Sequence, residues 1–300
     1  MQEGGKMNSK NIAKSLNAKL NDWCSYIEDE KIKKLIKENA IVTGGALVSL
    51  LSGEKPNDYD IYFKTKESVK EIAEYYAKTW NNTHKDKATV EIQDNDNKIQ
   101  CFIRSVGAVM EENERCIDDN TEPIEIDQII EETKDEQKEE KPKYRPRYFS
   151  TNAISLSNDI QIVIRFYGDV EDIHKNYDFV HCTCSYDYKE NRVNLPAKAL
   201  EAIINKELIY CGSKYPLCSI IRTRKFLSRG YTINAGQYLK MALQLNELDL
   251  HDLDVFKDQL TGVDSAYFEQ VITYLSEKKE KDKDFQIDNA YLFEIINRIF

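Results

Sequence analysis

Between Ala40 and Phe63 the chain reads AIVT, GG, ALVSLLSGEKPN, DYDIYF, and no other stretch narrows the fold as much. A short β-branched run enters a pair of glycines. Leu47, Leu50 and Leu51 then suit an apolar helix of about two turns. Gly53 and Pro56-Asn57 end that helix, and a run rich in Tyr, Ile and Phe begins as a strand with two aspartates. Asp58 and Asp60 lie two apart. On a strand their side chains share a face, with Cα atoms roughly 6.5–7 Å apart. Carboxylates that close repel unless something positive sits between them. Mg²⁺ or Mn²⁺ suits the pair, because a hard cation takes oxygen ligands and keeps places for phosphate oxygens. Two such ions about 3.5–4 Å apart can activate an attacking hydroxyl and stabilise a departing pyrophosphate. Gly44 and Gly45 let backbone approach a ligand closely, and the helix that starts there aims N–H groups at an anion. The pattern implies a triphosphate held at the glycines, with its α-phosphate over the aspartates. The plain alternative is a glycine turn followed by surface aspartates.

The rest of the chain reads as an α+β head followed by helices. Ile12, Leu16, Leu20, Trp23 and Ile27 recur at helical spacing, so residues 10–38 are expected to be helical with a break near Glu28–Glu30. Lys66 to Trp80 is a helix with Val69, Ile72, Ala73 and Tyr76 as its stripe. Residues 88–93 and 98–109, separated by DNDN, signal a hairpin. NAISL and IQIVIRF are strands around Ser157-Asn158, and YDFVHCT over 177–183 is expected to be a third. From Pro196 the chain is expected to be helical over 196–206, 214–229, 234–246, 252–259, 264–278 and 287–299. This gives an N-terminal helical segment 1–39, a mixed-sheet head 40–195 and a helical region 196–300.

Charge is concentrated. Residues 111–140 hold 14 acids and 3 bases, a net of −11 within a chain of net −10, so the remainder is near +1. An acidic insertion over 111–143 with few large apolar residues is expected to be a loop, and it offers a surface for a protein partner. A nearly neutral body leaves nucleic-acid binding open. Seven cysteines without repeated spacing read as reduced thiols, and no apolar run approaches the roughly 18 residues of a membrane span. A cytoplasmic protein is expected.

The stretch from Gly44 to Asp60 resembles the signature of the nucleotidyltransferase superfamily of DNA polymerase β type. It is most similar to the branch of CCA-adding enzymes and bacterial poly(A) polymerases, whose pattern is GG-x-h-R-D-x-h-h-G, then D-h-D. RPRYFSTNAISL over 145–156 resembles that branch's R-R-D-F-T-x-N-A segment, and YPLCSIIRTRKFLSRGYTI over 215–233 resembles its helix joining head to neck. The resemblance implies transfer of a nucleoside monophosphate from an NTP to an acceptor hydroxyl, first of all an RNA (tRNA-like) 3′ end. It implies Asp58 and Asp60 as metal ligands, Gly44 and Gly45 at the triphosphate, Asn152 at the nucleotide, and Arg222 and Lys225 at phosphates. Val48-Ser49 stands where the signature has Arg-Asp, and the branch's base-selecting E-D-x-x-R is absent. A protein or small-molecule acceptor therefore stays open, as does a non-catalytic binding or assembly module.

The superfamily also places a third acid on a neighbouring strand. Gln100 and Gln161 stand at the two obvious positions, and a neutral amide cannot serve as base. Asp178, flanked by Tyr177 and Phe179, is the expected third metal ligand or base, because a buried carboxylate needs a counter-charge that Mg²⁺ would supply. Arg222, Lys225 and Arg229 recur at i, i+3 and i+7 and share a helix face that suits phosphate or RNA backbone. His181, Cys182 and Cys184 lack zinc-ligand spacing and read as core. Lys55 reads as a turn lysine.

Overall fold

The structure is a computed structural model that describes residues 8–83, 88–95, 98–105, 143–150, 152–260, 266–281 and 288–299. The chain divides into two compact units. The first holds 1–175 and 181–203, and the second holds 176–180 and 204–300.

The first unit opens with α1 (Ser9–Ser25) and α2 (Glu30–Asn39). Asn8 caps α1 by accepting from the Asn11 N–H, and Asp29 caps α2 by accepting from the Lys31 N–H. The expected break thus falls at 26–29. Next come β1 (Ala40–Thr43), α3 (Gly45–Leu51), β2 (Tyr59–Phe63) and α4 (Lys66–Thr83). The hairpin β3 (Ala88–Asn95) and β4 (Lys98–Ser105) forms a separate two-stranded antiparallel sheet. Then follow β5 (Pro146–Phe149), β6 (Ala153–Leu156), β7 (Ile160–Tyr167) and α5 (Val170–His174). Two short strands, β8 (Ser185–Asp187) and β9 (Arg192–Asn194), and α6 (Ala197–Ile204) complete the order.

The main sheet is mixed and seven-stranded, in the order β5-β6-β7-β2-β1-β8-β9. β2 pairs antiparallel with β1 and parallel with β7. Register sorts the residues by face. Val42, Ile61, Ile162, Ile154 and Phe149 stand in one row across five strands, and all are buried. α4 covers this row, with Trp80 edge-on to Phe149 at 6.1 Å between ring centroids. Trp23 of α1 joins the same core, its indole N–H donating to Tyr76 of α4 at 2.7 Å. The adjacent row on the opposite face is Asp60, Gln161, Ser155 and Tyr148, all polar and half-buried.

The second unit contains α7 (Pro216–Leu227), α8 (Ala235–Leu245), α9 (Leu253–Leu260), α10 (Ala266–Lys281) and α11 (Asn289–Ile299). Leu253, Phe256, Leu260, Leu275, Leu292 and Ile295 form one of its cores. Phe179, Tyr210, Phe226 and Tyr231 form a chain of edge-on aromatic contacts in another. The fold class is as expected: a mixed sheet flanked by helices, followed by a helical C-terminal region. No helix among the described residues is long and apolar enough to cross a membrane.

One expected strand is corrected. Residues 177–183 form an isolated bridge from Phe179 to Tyr210 and a 3₁₀ turn, Val180–Cys182. The aromatic and β-branched content is real, but the aromatic side chain of Phe179 is spent on the second unit's core rather than on a sheet. Cys182 and Cys184 therefore do not alternate along a strand. Both are buried and neither is in a disulfide, and His181 is buried too, which fits the core reading. The acidic insertion, apart from Lys143, lies outside the described residues.

Candidate nucleotide site

The site is built from β1, the glycine turn and β2. Gly44 has φ 83° and ψ −139°, a conformation that side chains resist, and it sits at the N-cap position of α3. Gly45 is different. Its φ is ordinary for a helix, and a Cβ placed there would meet no atom within 4 Å. Neither backbone conformation nor packing requires a glycine at 45. The space above it is open, which is what close approach of a ligand needs.

Thr43, fully buried, fixes the strand end that leads into the turn. Its hydroxyl donates to the Cys184 carbonyl at 2.8 Å and lies 2.8 Å from His174 Nε2. With the hydroxyl proton committed to that carbonyl, Nε2–H of His174 is the donor to Thr43. Burial pushes the His174 pKa down to about 4, so the ring is neutral at physiological pH and keeps that arrangement.

Asp58 is exposed just before β2, and Asp60 is half-buried within it. The two carboxylates thus stand where the chain enters the strand next to the glycine turn. Within the first unit, no third His, Cys, Asp or Glu among the described residues joins them in a group that could hold a metal. Two carboxylates are the kind of oxygen donor that a hard divalent cation takes. The residue in register with Asp60 on β7 is Gln161, while Gln100 lies on β4 in the separate hairpin.

Asn152 lies between β5 and β6. Its carbonyl accepts from the Ile164 and Arg165 N–H groups, and its Oδ1 accepts from the Arg165 guanidinium at 3.4 Å. Ser150 organises the same turn by accepting from the Ala153 N–H at 3.0 Å. Lys55 is exposed in the turn before β2.

The remaining expected residues belong to the second unit. Asp178 is only 2% exposed, and its Oδ2 lies 3.1 Å from an Arg222 guanidinium nitrogen. The counter-charge that a buried carboxylate requires is therefore Arg222, within that unit. Sequence reading placed both residues in the site but missed their pairing, because they are 44 positions apart and nothing local links them. Arg222 and Lys225 are exposed on α7, and Arg229 follows its end.

A family model described as Gabija anti-defense 2 family protein matches residues 14–206. The chain belongs to that family. Gabija anti-defense 2 of Bacillus phage SPbetaL7 is 21% identical over 271 residues, covering 90% of this chain and 52% of the relative. The chain thus spans about half the length of the curated relative it matches. Among solved structures, Thermotoga maritima CCA-adding enzyme complexed with tRNA_CCA is 11% identical with a TM-score of 0.39, covering 92% of this chain and 65% of its own. A complex of CCA-adding enzyme with ATP is 12% identical with a TM-score of 0.44, covering 97% and 69%.

Proposed function

We propose that this member of the Gabija anti-defense 2 family is a metal-dependent nucleotidyltransferase whose site is Asp58, Asp60, Gly44 and Gly45. The observation that carries the reading is the juxtaposition of an unneeded glycine with an aspartate pair. The structure itself gives no reason for glycine at 45, and Asp60 stands on β2, which pairs with the strand leading into that turn, with Asp58 just before it.

In this reading Asp58 and Asp60 hold Mg²⁺ or Mn²⁺, and a bound cation supplies charge neutralisation for the triphosphate. Gly44 and Gly45 leave room for the phosphates. Asn152 serves the nucleotide from the β5–β6 turn. Arg222 and Lys225, on α7 of the second unit, suit phosphate groups on that unit's own surface. An acceptor hydroxyl attacks the α-phosphorus, forming a new P–O bond. The bond from the α-phosphorus to the bridging oxygen breaks, pyrophosphate leaves, and the acceptor proton passes to solvent. RNA 3′ ends are the first acceptor to test, followed by protein and small-molecule hydroxyls. For Asp178 the pairing with Arg222 supports holding that arginine in place, in preference to ligating metal. The family's name adds the setting: the transfer would act against the defence for which the family is named.

A second reading is a nucleotide-binding module without transfer. Gln161 in register with Asp60 favours it, since an amide there cannot accept the acceptor's proton. Thermal melting with Mg²⁺ or Mn²⁺ and each NTP tests the shared part of both readings. Wild type is expected to gain stability only when cation and NTP are both present, and Asp58→Asn/Asp60→Asn to gain none. Equal stabilisation of the double variant would place nucleotide binding elsewhere.

A further inference from the structure

Along α1, Lys10, Lys14, Asn17 and Asn21 stand at i, i+4, i+7 and i+11, which makes one polar stripe on the helix. Ala13 and Ala18 flank the stripe, and their small side chains leave a groove of about 550 Å³ between it and Asn191 of the β8–β9 turn. The groove lies on the sheet face away from Asp60. Tyr186, whose hydroxyl reaches Asn17, stands in the row of Val42 and Ile61, and Asp60 belongs to the adjacent row on the opposite face.

Hydrogen bonding sorts the lining into donors and acceptors. Tyr188 donates to Asn21 Oδ1 at 2.7 Å, and Asn21 donates to Asn17 Oδ1. Asn17 donates to the Tyr186 oxygen at 3.2 Å, and Tyr186 donates to Asn191 Oδ1 at 2.9 Å. Each of the three amide oxygens is thus already engaged. Each Nδ2 carries two hydrogens, so every one of these amides keeps an N–H to offer. The cations are uncommitted as well. Lys31, Lys33, Lys64 and Lys66 of the same unit each pair with a carboxylate, whereas Lys10 and Lys14 have no ion-pair partner among the described residues. Among the described residues no acid and no aromatic ring lines the groove.

A ligand for such a lining brings negative charge and oxygen acceptors. Nucleic-acid backbone does so, and Lys and Asn are common partners of its phosphates. An acidic peptide fits less well, because its own N–H groups need acceptors that the groove has already engaged. Single strands draw on aromatic platforms for their bases, and the groove has none among the described residues. A duplex keeps its bases stacked inside and asks for backbone contacts alone. We propose that the groove between α1 and the β8–β9 turn is a docking site for the phosphodiester backbone of double-stranded nucleic acid, bound without regard to sequence. Lys10 and Lys14 neutralise phosphates, and Asn17, Asn21 and Asn191 donate to phosphate oxygens. The stripe runs about 16 Å along the helix at about 1.5 Å per residue, long enough to meet several phosphates. This inference does not depend on the nucleotide site.

Fluorescence anisotropy with a labelled mixed-sequence duplex of about 20 base pairs, in RNA and DNA forms, tests it between about 50 and 200 mM salt. Wild type is expected to bind a duplex of at least one form, and more tightly than a single strand of the same length. Lys10→Gln/Lys14→Gln is expected to weaken binding about tenfold or more at the low-salt end, and to make the log–log salt dependence shallower by about 2. Asn191→Asp keeps the acceptor for Tyr186 and adds a negative charge, so it is expected to weaken binding as well. Lys34→Gln/Lys37→Gln on α2 removes the same charge outside the groove and is expected to change affinity by less than about threefold. Asp58→Asn/Asp60→Asn is expected to bind at least as tightly as wild type. No duplex binding by wild type, an equal loss in the α2 variant, or a preference for single strands would overturn the inference. So would displacement of the duplex by polyglutamate at an equal concentration of charge, which would assign the groove to an acidic protein segment. Loss of duplex binding in Asp58→Asn/Asp60→Asn would place the duplex at the nucleotide site and overturn the groove.

Discussion

At the residue scale, the two adjacent glycines separate folding from function. Gly44 needs its glycine for conformation, so Gly44→Ala is expected to lower stability by about 1–3 kcal/mol. Gly45 has an open Cβ position at a helix start, so Gly45→Ala is expected to leave stability unchanged or raise it by up to about 1 kcal/mol. Denaturant unfolding of the two variants checks this. If the space over Gly45 serves a triphosphate, Gly45→Ala also loses nucleotide-dependent stabilisation despite its intact fold. His174 supplies a second residue-level prediction. Its folded pKa of about 4 lies below the unfolded value of 6.5, so the unfolded chain binds the extra proton first. Its contribution is complete above about pH 6.5 and is lost as pH falls toward 4. Wild type should therefore lose melting temperature relative to His174→Gln between pH 7.5 and 5, while carboxylates common to both cancel. A constant difference across that range would refute the neutral buried histidine.

At the element scale, helix pairs and ion pairs rest on single buried contacts. The Trp23 N–H has Tyr76 as its acceptor across α1 and α4, so Tyr76→Phe strands a buried donor and is expected to cost about 1–3 kcal/mol. In the second unit the Asp178–Arg222 pair is lopsided, with side-chain exposures of 3% and 44%. Arg222→Ala leaves a buried carboxylate alone, at a cost on the order of 3 kcal/mol. Asp178→Asn leaves an arginine that water can solvate, and should cost clearly less. Equal losses in urea unfolding would mean that the burial is shared. These long-range pairings explain where sequence reading stopped. The helices were legible because Ile12, Leu16, Leu20 and Trp23, or Val69, Ile72, Ala73 and Tyr76, carry their own period. The strand over 177–183 was misread because its β-forming residues serve an aromatic cluster with Tyr210, Phe226 and Tyr231. β8 and β9 went unread because three residues each, SYD and RVN, are too few to show alternation.

At the scale of the whole molecule, the first unit brings Asp60 and a polar row into one small area of sheet next to the glycine turn. The Asp58–Asp60 pair and the glycine turn could be read locally, since all four residues fall within 17 positions. The polar row beside them could not, because β2 and β7 are brought into parallel register from about 100 residues apart. The central proposal is that Asp58 and Asp60 support transfer of a nucleoside monophosphate. The most direct measurement incubates purified protein with Mg²⁺ or Mn²⁺, each α-labelled NTP, total RNA and cell protein, beside the Asp58→Ala/Asp60→Ala variant. Label entering RNA or protein with wild type and not with the variant is the result expected, and it names the acceptor class. Label in neither fraction under every cation and NTP would contradict the transferase and leave the nucleotide-binding module in its place.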